Sequence, residues 1–310
     1  MSDHDKRADN ARPGLLRGVI PPIFTPLTAG GEGIDFAALQ AHVEWLLSRG
    51  VQGLMPCGTT GEGPLLSTPE RMQILEAVLR AVAGRVPVVA HVGTASTAET
   101  VVLARHAWQA GATALSVVSP YYYRLPQPAL ANHFVAVARA VPDAPLYLYN
   151  IPQLTGNALS PTLAAEIVAR APNVVGIKDS AGDLEALRGY LDLNAGRFRV
   201  ICGSDGLILP ALRLGAVGCV SGNANVFPEV VVGLFRAWQQ GDEAAADRLQ
   251  DTLDRVRAVM LDGQSIDLMK RLLERRGLQG GAVRPPLAEA EPQAAQAAWQ
   301  ALLALGLDTG

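Results

Sequence analysis

The sequence predicts an α/β fold, a (β/α)8 or TIM barrel with a C-terminal helical extension. Eight short runs rich in β-branched residues recur along the chain, and a helical pattern follows each run. Most runs are continuously apolar, as expected for parallel strands covered on both faces. A doubly wound open sheet is the alternative, and it is disfavoured because no G-x-G-x-x-G turn follows the first run. The predicted strands are Gly18–Phe24, Val51–Met55, Pro87–Val92, Thr113–Val118, Pro145–Tyr149, Val174–Lys178, Phe198–Cys202 and Val217–Ser221.

Signals for helix starts lie between these runs. Thr68 and Ser160 each precede a proline that would open a helix, and Ser96–Glu99 has the spacing of a capping box. From Val230 onward the pattern is purely helical and begins with the eighth barrel helix. We expect a flexible tail over residues 1–14, a barrel over 15–240 and helices packed on the barrel over 241–310. The helices predicted in this last part are Asp242–Leu261, Ser265–Arg275 and Pro292–Leu305.

Composition and charge restrict the partners of the protein. Apolar residues make up 49% of the 310 residues, which is enough for a large core, and the formal net charge is −3. The lack of basic blocks argues against nucleic acid and anionic membranes as partners, and no apolar run is long enough to span a bilayer. Three scattered cysteines favour a reducing cytoplasm over a disulfide framework. The histidines show no metal-binding spacing, so we expect no metal site.

Lys178 is the first candidate for chemistry, because it closes an apolar strand at the end where barrel enzymes carry their active sites. The chain has three lysines among its 26 basic residues, and Lys6 and Lys270 lie in the predicted tail and on a C-terminal helix. We therefore expect Lys178 to be the one buried lysine. An amine can lose its proton and add to a ketone, whereas a guanidinium cannot. The alternative is a lysine that extends its amine to solvent or pairs with Asp179.

Tyr149 closes the preceding predicted strand and would lie at the same rim of the barrel. A phenol beside an amine can carry a proton to and from a substrate oxygen. Alternatively, this tyrosine is an aromatic residue that fills the barrel mouth.

Two loops complete the candidate site. Residues 57–63, CGTTGEG, follow the second strand with three glycines and two hydroxyls that can turn N–H and O–H donors toward a small carboxylate. An ordinary glycine-rich strand-to-helix loop is the alternative. Residues 119–124, SPYYYR, follow the fourth strand and hold three of the six tyrosines. Exposed aromatic residues on a loop are typical of an interface or a binding site.

Together these motifs resemble the dihydrodipicolinate synthase / N-acetylneuraminate lyase family of class I, Schiff-base pyruvate aldolases. The similarity extends from Gly18 to about Phe227. It is carried by GTTGE after strand two, PYY after strand four, YNIP after strand five and GIKDS at strand six.

The resemblance implies a role for each residue of the site. Lys178 would be the Schiff-base lysine and Tyr149 the proton-relay phenol, and Thr59 would pass the proton on. Thr60 and Gly58 would hold the carboxylate of a 2-oxo acid. No metal or organic cofactor is needed, because the protonated imine is itself an electron sink when a C3–C4 bond breaks.

The resemblance also implies an oligomer and a substrate pocket. Tyr122 looks like the tyrosine that family members insert into a neighbouring subunit's site, which implies a homotetramer built from tight dimers. Gly203 and Val220 fall where the family lines the pocket with a backbone carbonyl and an apolar side chain.

Departures from the family pattern indicate the substrate. Leu154 stands where dihydrodipicolinate synthases carry an arginine for the carboxylate of aspartate semialdehyde. YNIPQLTG is similar to sialic acid lyases and 2-keto-3-deoxygluconate aldolases, but the lyase's Asp–Glu pair is Asp205-Gly206 here. Ser180 and Asp205 remain as groups that can bind hydroxyls. A 2-keto-3-deoxy sugar acid aldolase is therefore the favoured interpretation.

Three other functions stay open. A dihydrodipicolinate synthase would need its arginine from elsewhere, for example Arg124. A dehydratase or deaminase would use the same imine to expel a leaving group. A non-catalytic sensor of 2-oxo acids would keep the carboxylate pocket, but it would not need both Tyr149 and Thr59.

Overall fold

The structure, a computed structural model, describes residues 16–193, 197–263 and 265–307. Within them, a parallel sheet of seven strands curves in the order β1-β7-β6-β5-β4-β3-β2. The flexible tail predicted over residues 1–14 lies outside the described residues. The strands are β1 Gly18–Val19, β2 Val89–His91, β3 Ala114–Val118, β4 Leu146–Asn150, β5 Val174–Asp179, β6 Arg199–Cys202 and β7 Gly218–Cys219.

The second predicted strand, Val51–Met55, closes the barrel, although it pairs more sparsely than expected. It forms a single parallel bridge on the side of β2, where Leu54 N donates to Pro87 O at 3.0 Å. On the other side Met55 N donates to Pro21 O at 2.9 Å, just beyond β1. This segment therefore joins the two edges of the sheet, which confirms the predicted (β/α)8 barrel.

Helices alternate with the strands around the barrel, and further helices follow at the C-terminal end. No helix among the described residues is long and apolar enough to cross a membrane. The helices are α1 Phe36–Ser48, α2 Thr68–Val82, α3 Thr97–Gln109, α4 Gln127–Ala140, α5 Pro152–Thr155, α6 Pro161–Arg170, α7 Leu184–Leu191, α8 Ile208–Leu214, α9 Pro228–Gln240, α10 Glu243–Val259, α11 Ile266–Arg275 and α12 Pro292–Ala304.

The helix caps follow the sequence signals with two corrections. Ser160 caps α6 through its side chain, as predicted. Helix α2 is capped by Ser67 and not by Thr68, which is the first helical residue. At Ser96 only half of the predicted capping box forms, because the Glu99 carboxylate accepts a hydrogen bond from the Thr68 hydroxyl instead.

Apolar side chains pack in two layers, one inside the barrel and one between strands and helices. The inner cluster includes Ile20, Met55, Tyr147 and Val220. The outer cluster is larger and extends into the C-terminal helices, because side chains of α10, α11 and α12 belong to it. The C-terminal helices thus pack on the barrel through the same continuous core. All three cysteines are buried and free.

A β-bulge in β5 sets the direction of the side chains at the end of that strand. Leu146 pairs with Val174, but Tyr147 pairs with Gly176, so β5 carries one extra residue. Beyond the bulge Gly176 faces the barrel interior, where an added Cβ would lie 2.5 Å from the Tyr147 ring. Side chains alternate along a strand, so Lys178 also faces inward.

Candidate active site

A cavity of about 660 Å³ opens at the carboxyl ends of the strands, where barrel enzymes carry their active sites. The loop after the closing segment Val51–Met55, strands β4 and β5, and helices α10 and α11 all contribute to its lining. Eight of the ten predicted site residues line it: Thr59, Thr60, Tyr149, Lys178, Ser180, Gly203, Asp205 and Val220.

Lys178 lies at the floor of this cavity and is 5% exposed. Its Nζ lies 3.7 Å from the centroid of the Tyr149 ring, because the two residues are register partners on β4 and β5. Within the described residues, no carboxylate is close enough to form an ion pair with this amine. The alternative of a pair with Asp179 is wrong, since the Asp179 side chain lies on the opposite face of β5 and accepts a hydrogen bond from Asn150.

Tyr149 joins the amine to the glycine-rich loop. Its hydroxyl lies 3.2 Å from Thr59 Oγ1, and either oxygen can donate the proton. His91 contacts the Tyr149 ring edge-on, with 5.8 Å between the ring centroids. Burial, with the charges of Arg71 and Lys178, holds the pKa of His91 well below its usual value, so His91 is neutral at pH 7. A neutral imidazole supports the phenol ring without adding a charge to the site.

The backbone conformation of the loop 57–63 leaves no room for side chains at two of its glycines. An added Cβ on Gly63 would lie 2.0 Å from Cys57 O, and one on Gly61 would lie 2.7 Å from Ile23 O. Cys57 and Glu62 have positive φ angles of 57° and 60°. Such a conformation is rare for residues with side chains, so surrounding contacts must hold the loop in place.

Glu62 is the anchor of this loop, and its partner corrects a prediction. Lys270 lies on a C-terminal helix, as predicted, but its side chain is fully buried and pairs with Glu62 Oε1 at 2.6 Å. Lys270 Nζ also donates to Thr25 O at 2.8 Å and Ala282 O at 2.7 Å, and Glu62 Oε2 accepts from Arg284 N at 2.7 Å. Lys178 is therefore not the one buried lysine. The sequence signal that selects Lys178, a rare lysine in an arginine-rich chain, also applied to Lys270.

Gly203 leaves room for the two polar side chains at the end of β5. Ser180 Oγ donates to Gly203 O at 3.2 Å. An added Cβ on Gly203 would lie 2.1 Å from Ser180 Oγ and 2.9 Å from Lys178 Cε. Any other residue at this position would therefore displace the lysine.

Asp205 also lines the cavity. Its Oδ2 accepts hydrogen bonds from the backbone and side-chain nitrogens of Asn223. Its Oδ1 is buried and has no hydrogen-bond partner among the described residues. Burial raises the pKa of Asp205 above its usual value, while Asn223 and the charge of Arg257 act in the opposite direction. Asp205 lines the cavity, so its carboxyl is one of the polar groups on that surface.

A polar network that the sequence did not reveal lies behind β4 and β5. Asn150 Nδ2 donates to Asp179 Oδ1 at 2.7 Å, and its Oδ1 accepts from Leu159 N at 3.0 Å. The Tyr190 hydroxyl donates to Leu159 O in the same network. These bonds fix the ends of both strands and so the positions of the two side chains that face the cavity. In the sequence, Asn150 directly follows Tyr149 and Asp179 directly follows Lys178. This adjacency is the signal from which the network could have been predicted.

Comparison with known proteins identifies the family. A sequence model of the Dihydrodipicolinate synthetase family matches residues 15–305. The 4-hydroxy-tetrahydrodipicolinate synthase of Methanosphaerula palustris is 39% identical over 282 residues, which cover 90% of this chain and 96% of that protein. The chain belongs to the dihydrodipicolinate synthetase family.

Two further members of the dihydrodipicolinate synthetase family illustrate its range. An uncharacterized DapA-like lyase of Halobacterium salinarum is 41% identical over 288 residues, 93% of each chain. The E. coli K12 prophage protein YagE, solved in complex with pyruvate, superposes with a TM-score of 0.90 at 33% identity, covering 95% of this chain and 100% of that one. Members of this family are lyases, and this chain is an enzyme of that class.

The two predicted site residues that do not line the cavity differ in position. Gly58 is buried in the glycine-rich loop beneath it. Tyr122 is 86% exposed and stacks edge-on against Tyr123, with 5.0 Å between the ring centroids. Tyr122 therefore contributes nothing to the cavity of its own chain, and its insertion into a neighbouring subunit stays a prediction.

Leu154 and Arg124 were the residues invoked to discriminate between substrates. Leu154 lines the cavity, although 61% of it is exposed. Arg124 is exposed and does not line the cavity of its own chain, so its role as a replacement arginine stays a prediction. The arginine that does line the cavity is Arg257, on helix α10. Sequence reasoning missed it because nothing distinguishes it from the other charged residues of an amphipathic helix.

Proposed function

We propose that this family member is a Schiff-base lyase in which Lys178 binds pyruvate, and that it cleaves a 2-keto-3-deoxy sugar acid. The observation that carries the proposal is the environment of the Lys178 amine. It lies over the face of the Tyr149 ring, at the floor of a cavity, with no carboxylate in pairing distance among the described residues. An amine that is shielded from water and not held by an anion is suited to nucleophilic addition.

The first half of the mechanism is imine formation. The Lys178 amine adds to the C2 carbonyl of the 2-oxo acid, and the resulting carbinolamine loses water to give a protonated imine. Tyr149 gives a proton to the departing hydroxyl and recovers one through Thr59, whose hydroxyl is 3.2 Å away. Thr60, which lines the cavity, binds the substrate carboxylate meanwhile, which holds C2 above the amine.

The second half breaks the carbon–carbon bond. The C4 hydroxyl loses its proton, the C3–C4 bond breaks to release an aldehyde, and its electron pair moves into the imine as an enamine. Protonation of the enamine at C3 and hydrolysis of the imine then release pyruvate and regenerate Lys178. Asp205 and Ser180 both line the cavity, which supports them as the residues that bind hydroxyls of the sugar chain.

Borohydride trapping tests the imine. With pyruvate present, reduction should add the mass of a reduced pyruvyl group to the peptide that contains Lys178. The peptide with Lys270 is an internal control, because that buried amine is held by Glu62 and two carbonyls. Lys178→Arg should stay unmodified. An unchanged mass at Lys178 in the wild-type protein would refute the proposal.

A second candidate function is 4-hydroxy-tetrahydrodipicolinate synthase. It is favoured by the names of relatives such as that of Methanopyrus kandleri, 38% identical over 293 residues. The two functions share the imine and differ in the aldehyde. Release of pyruvate from 2-keto-3-deoxy sugar acids supports the first, and condensation of pyruvate with aspartate semialdehyde at a higher kcat/KM supports the second. A 2-oxo product that retains all its carbons would instead indicate a dehydratase.

We also propose that the protein is a cytoplasmic homotetramer built from tight dimers, and the exposed Tyr122 supports the assembly. Its φ angle of 82° is strained for a residue with a side chain, a cost that contacts with a partner subunit would offset. Sedimentation velocity measures the assembly directly. In kinetics, Tyr122→Phe should lower kcat, since the phenol would extend the relay from Thr59, while Tyr123→Phe should leave kcat unchanged.

A further inference from the structure

Arg71 is a buried arginine of helix α2 that the proposed mechanism does not use. It is 5% exposed, and burial lowers the pKa of its guanidinium below its usual value. Its Nη1 donates to Gly93 O at 3.1 Å, and its Nη2 donates to His91 O at 2.8 Å. His91 ends strand β2 and Gly93 follows it closely, so Arg71 holds helix α2 against the carboxyl end of this strand.

A third contact of Arg71 assigns the proton on the His91 ring. Arg71 Nη2 lies 3.3 Å from His91 Nδ1. A guanidinium has N–H donors and no acceptor, so His91 Nδ1 is the acceptor in this contact. The imidazole is therefore neutral and carries its proton on Nε2. A proton on Nδ1 would remove the hydrogen bond and place a second cation against the guanidinium.

Arg71 also contacts the glycine-rich loop that carries Thr59. The Cys57 thiol, at the first residue of that loop, donates to Arg71 O with 3.8 Å between sulfur and oxygen. His91, which Arg71 holds from the other end of the side chain, packs edge-on against the Tyr149 ring. Arg71 is therefore connected to both partners of the hydrogen bond between Thr59 and Tyr149.

We propose that Arg71 is a positioning residue of the proton relay, which fixes His91 as the neutral Nε2–H tautomer so that the imidazole holds the Tyr149 ring in place. This proposal rests on the Schiff-base function above and extends it to a residue that does not line the cavity. The neutral ring has an electrostatic role as well. Lys178 carries a positive charge once its imine is protonated, and an imidazolium in contact with Tyr149 would repel that charge.

A double-mutant cycle tests whether Arg71 acts through His91. Quenching with borohydride at successive times gives the rate of imine formation with pyruvate, whatever the natural aldehyde is. Arg71→Met should lower the maximal rate about 10- to 100-fold with little change in half-saturation, because the relay is displaced while Thr60 keeps its place. In His91→Phe, which keeps a ring beside Tyr149, the same change should cost little more. Arg80→Met, at an exposed arginine of the same helix, is the matched control and should leave the rate unchanged.

The pH dependence of this rate separates positioning from a general loss of packing. The groups that act on the His91 charge are Arg71, Lys178 and the Cys57 backbone, and Tyr149 contacts the ring. Burial and the charge of Arg71 both lower the pKa of His91, so removing that charge raises the pKa. The fall of the rate at acid pH should therefore move to higher pH in Arg71→Met. It should not move in Arg71→Lys, which keeps the charge, or in Arg71→Met/His91→Phe, which has no imidazole.

Two results overturn the proposal. One is an equal fold loss for Arg71→Met in the wild-type and His91→Phe backgrounds, and the other is an acid limb at the wild-type pH in Arg71→Met. If Arg71→Met does not fold, Arg71→Lys is compared in the two backgrounds, where an equal loss of rate again overturns the proposal. The final mass at Lys178 separates these outcomes from failure of the proposed function. Arg71→Met should still be trapped fully at long times, whereas a wild-type protein that is never trapped lacks the imine itself.

Discussion

Lys178 and Lys270 are both buried, with 5% and 0% of their surface exposed, but their surroundings differ in charge and in access. Lys270 Nζ donates to one carboxylate and two carbonyls, which uses all three of its N–H bonds. Lys178 Nζ faces an aromatic ring and a cavity. The first amine is held as an ammonium ion by fixed acceptors, and the second is open to a ligand.

The comparison shows that burial alone does not identify a reactive lysine. Burial lowers the pKa of Lys270, but the adjacent Glu62 opposes that change and fixes the proton in place. What distinguishes Lys178 is that its polar partners are missing on the side of the cavity, within the described residues. A substrate can supply them. The same loop links the two lysines, because Glu62 anchors the segment that carries Thr59 and Thr60.

The largest expected effect is loss of activity on replacing Lys178. Lys178→Arg and Lys178→Met should each lower kcat/KM by at least about 10⁴-fold, because no other group can form the imine. Thermal unfolding of Lys178→Met should occur at or above the wild-type temperature, since a buried amine with no ion partner in the described chain is replaced by an apolar side chain of similar length. Residual activity within about tenfold of wild type would show that Lys178 is not the reactive amine.

Replacing Lys270 should mainly lower the stability of the fold, whereas replacing Lys178 mainly lowers activity. Lys270→Met leaves the Glu62 carboxylate buried without its cation, so the free energy of unfolding should fall by about 3–5 kcal/mol. Urea denaturation measures this. The double variant Glu62→Gln/Lys270→Met removes the uncompensated charge and should regain part of the loss. If Lys270→Met is as stable as wild type, the pair does not anchor the loop. KM for pyruvate should rise in the single variant, because Thr59 and Thr60 lose their support.

Tyr149→Phe separates the two things that Tyr149 supplies to Lys178. The ring stays beneath the amine, while the hydroxyl 3.2 Å from Thr59 is lost, so kcat should fall about 10²- to 10³-fold with the fold intact. Tyr147→Phe is the matched control on the same strand, since its hydroxyl accepts from Leu16 N inside the barrel and does not line the cavity. Equal losses in the two variants would mean that neither hydroxyl relays a proton.

Sequence patterns predicted the barrel and the residues at the floor of the site because the patterns that identify them lie within short segments of the chain. An apolar run that ends in Lys178 can be recognised within six residues of β5, and so can the tyrosine that closes β4. The partner of Glu62 could not be predicted, since Lys270 lies 208 residues away in the chain. Arg257 was missed because nothing in the sequence distinguishes it from the other charged residues of its helix. Contacts between the barrel and the C-terminal helices depend on packing, and no spacing in the sequence records them.

The smallest expected effect concerns Asp179, a buried carboxyl that, unlike Glu62, has no cation beside it among the described residues. Burial raises the pKa of Asp179 from 3.8 to about 6, although a hydrogen bond from Asn150 lowers it. Below pH 4 the group is protonated in the folded and unfolded states, so it costs no stability. Between pH 4 and 6 the unfolded chain ionises first, so stability should fall as the pH rises, by on the order of 1–3 kcal/mol.

Asp179→Asn should remove this fall, because an amide keeps the Oδ1 acceptor for Asn150 and cannot ionise. Urea denaturation at pH 4 and pH 7 measures the difference, with the exposed Asp192→Asn as the control that keeps the wild-type pH dependence. An unchanged slope in Asp179→Asn would mean that Asp179 ionises in the folded protein as readily as in the unfolded chain. Burial would then not determine the ionisation of this carboxyl, just as it does not by itself determine which lysine is reactive. The hydrogen-bond and charge partners of each buried group would decide its behaviour.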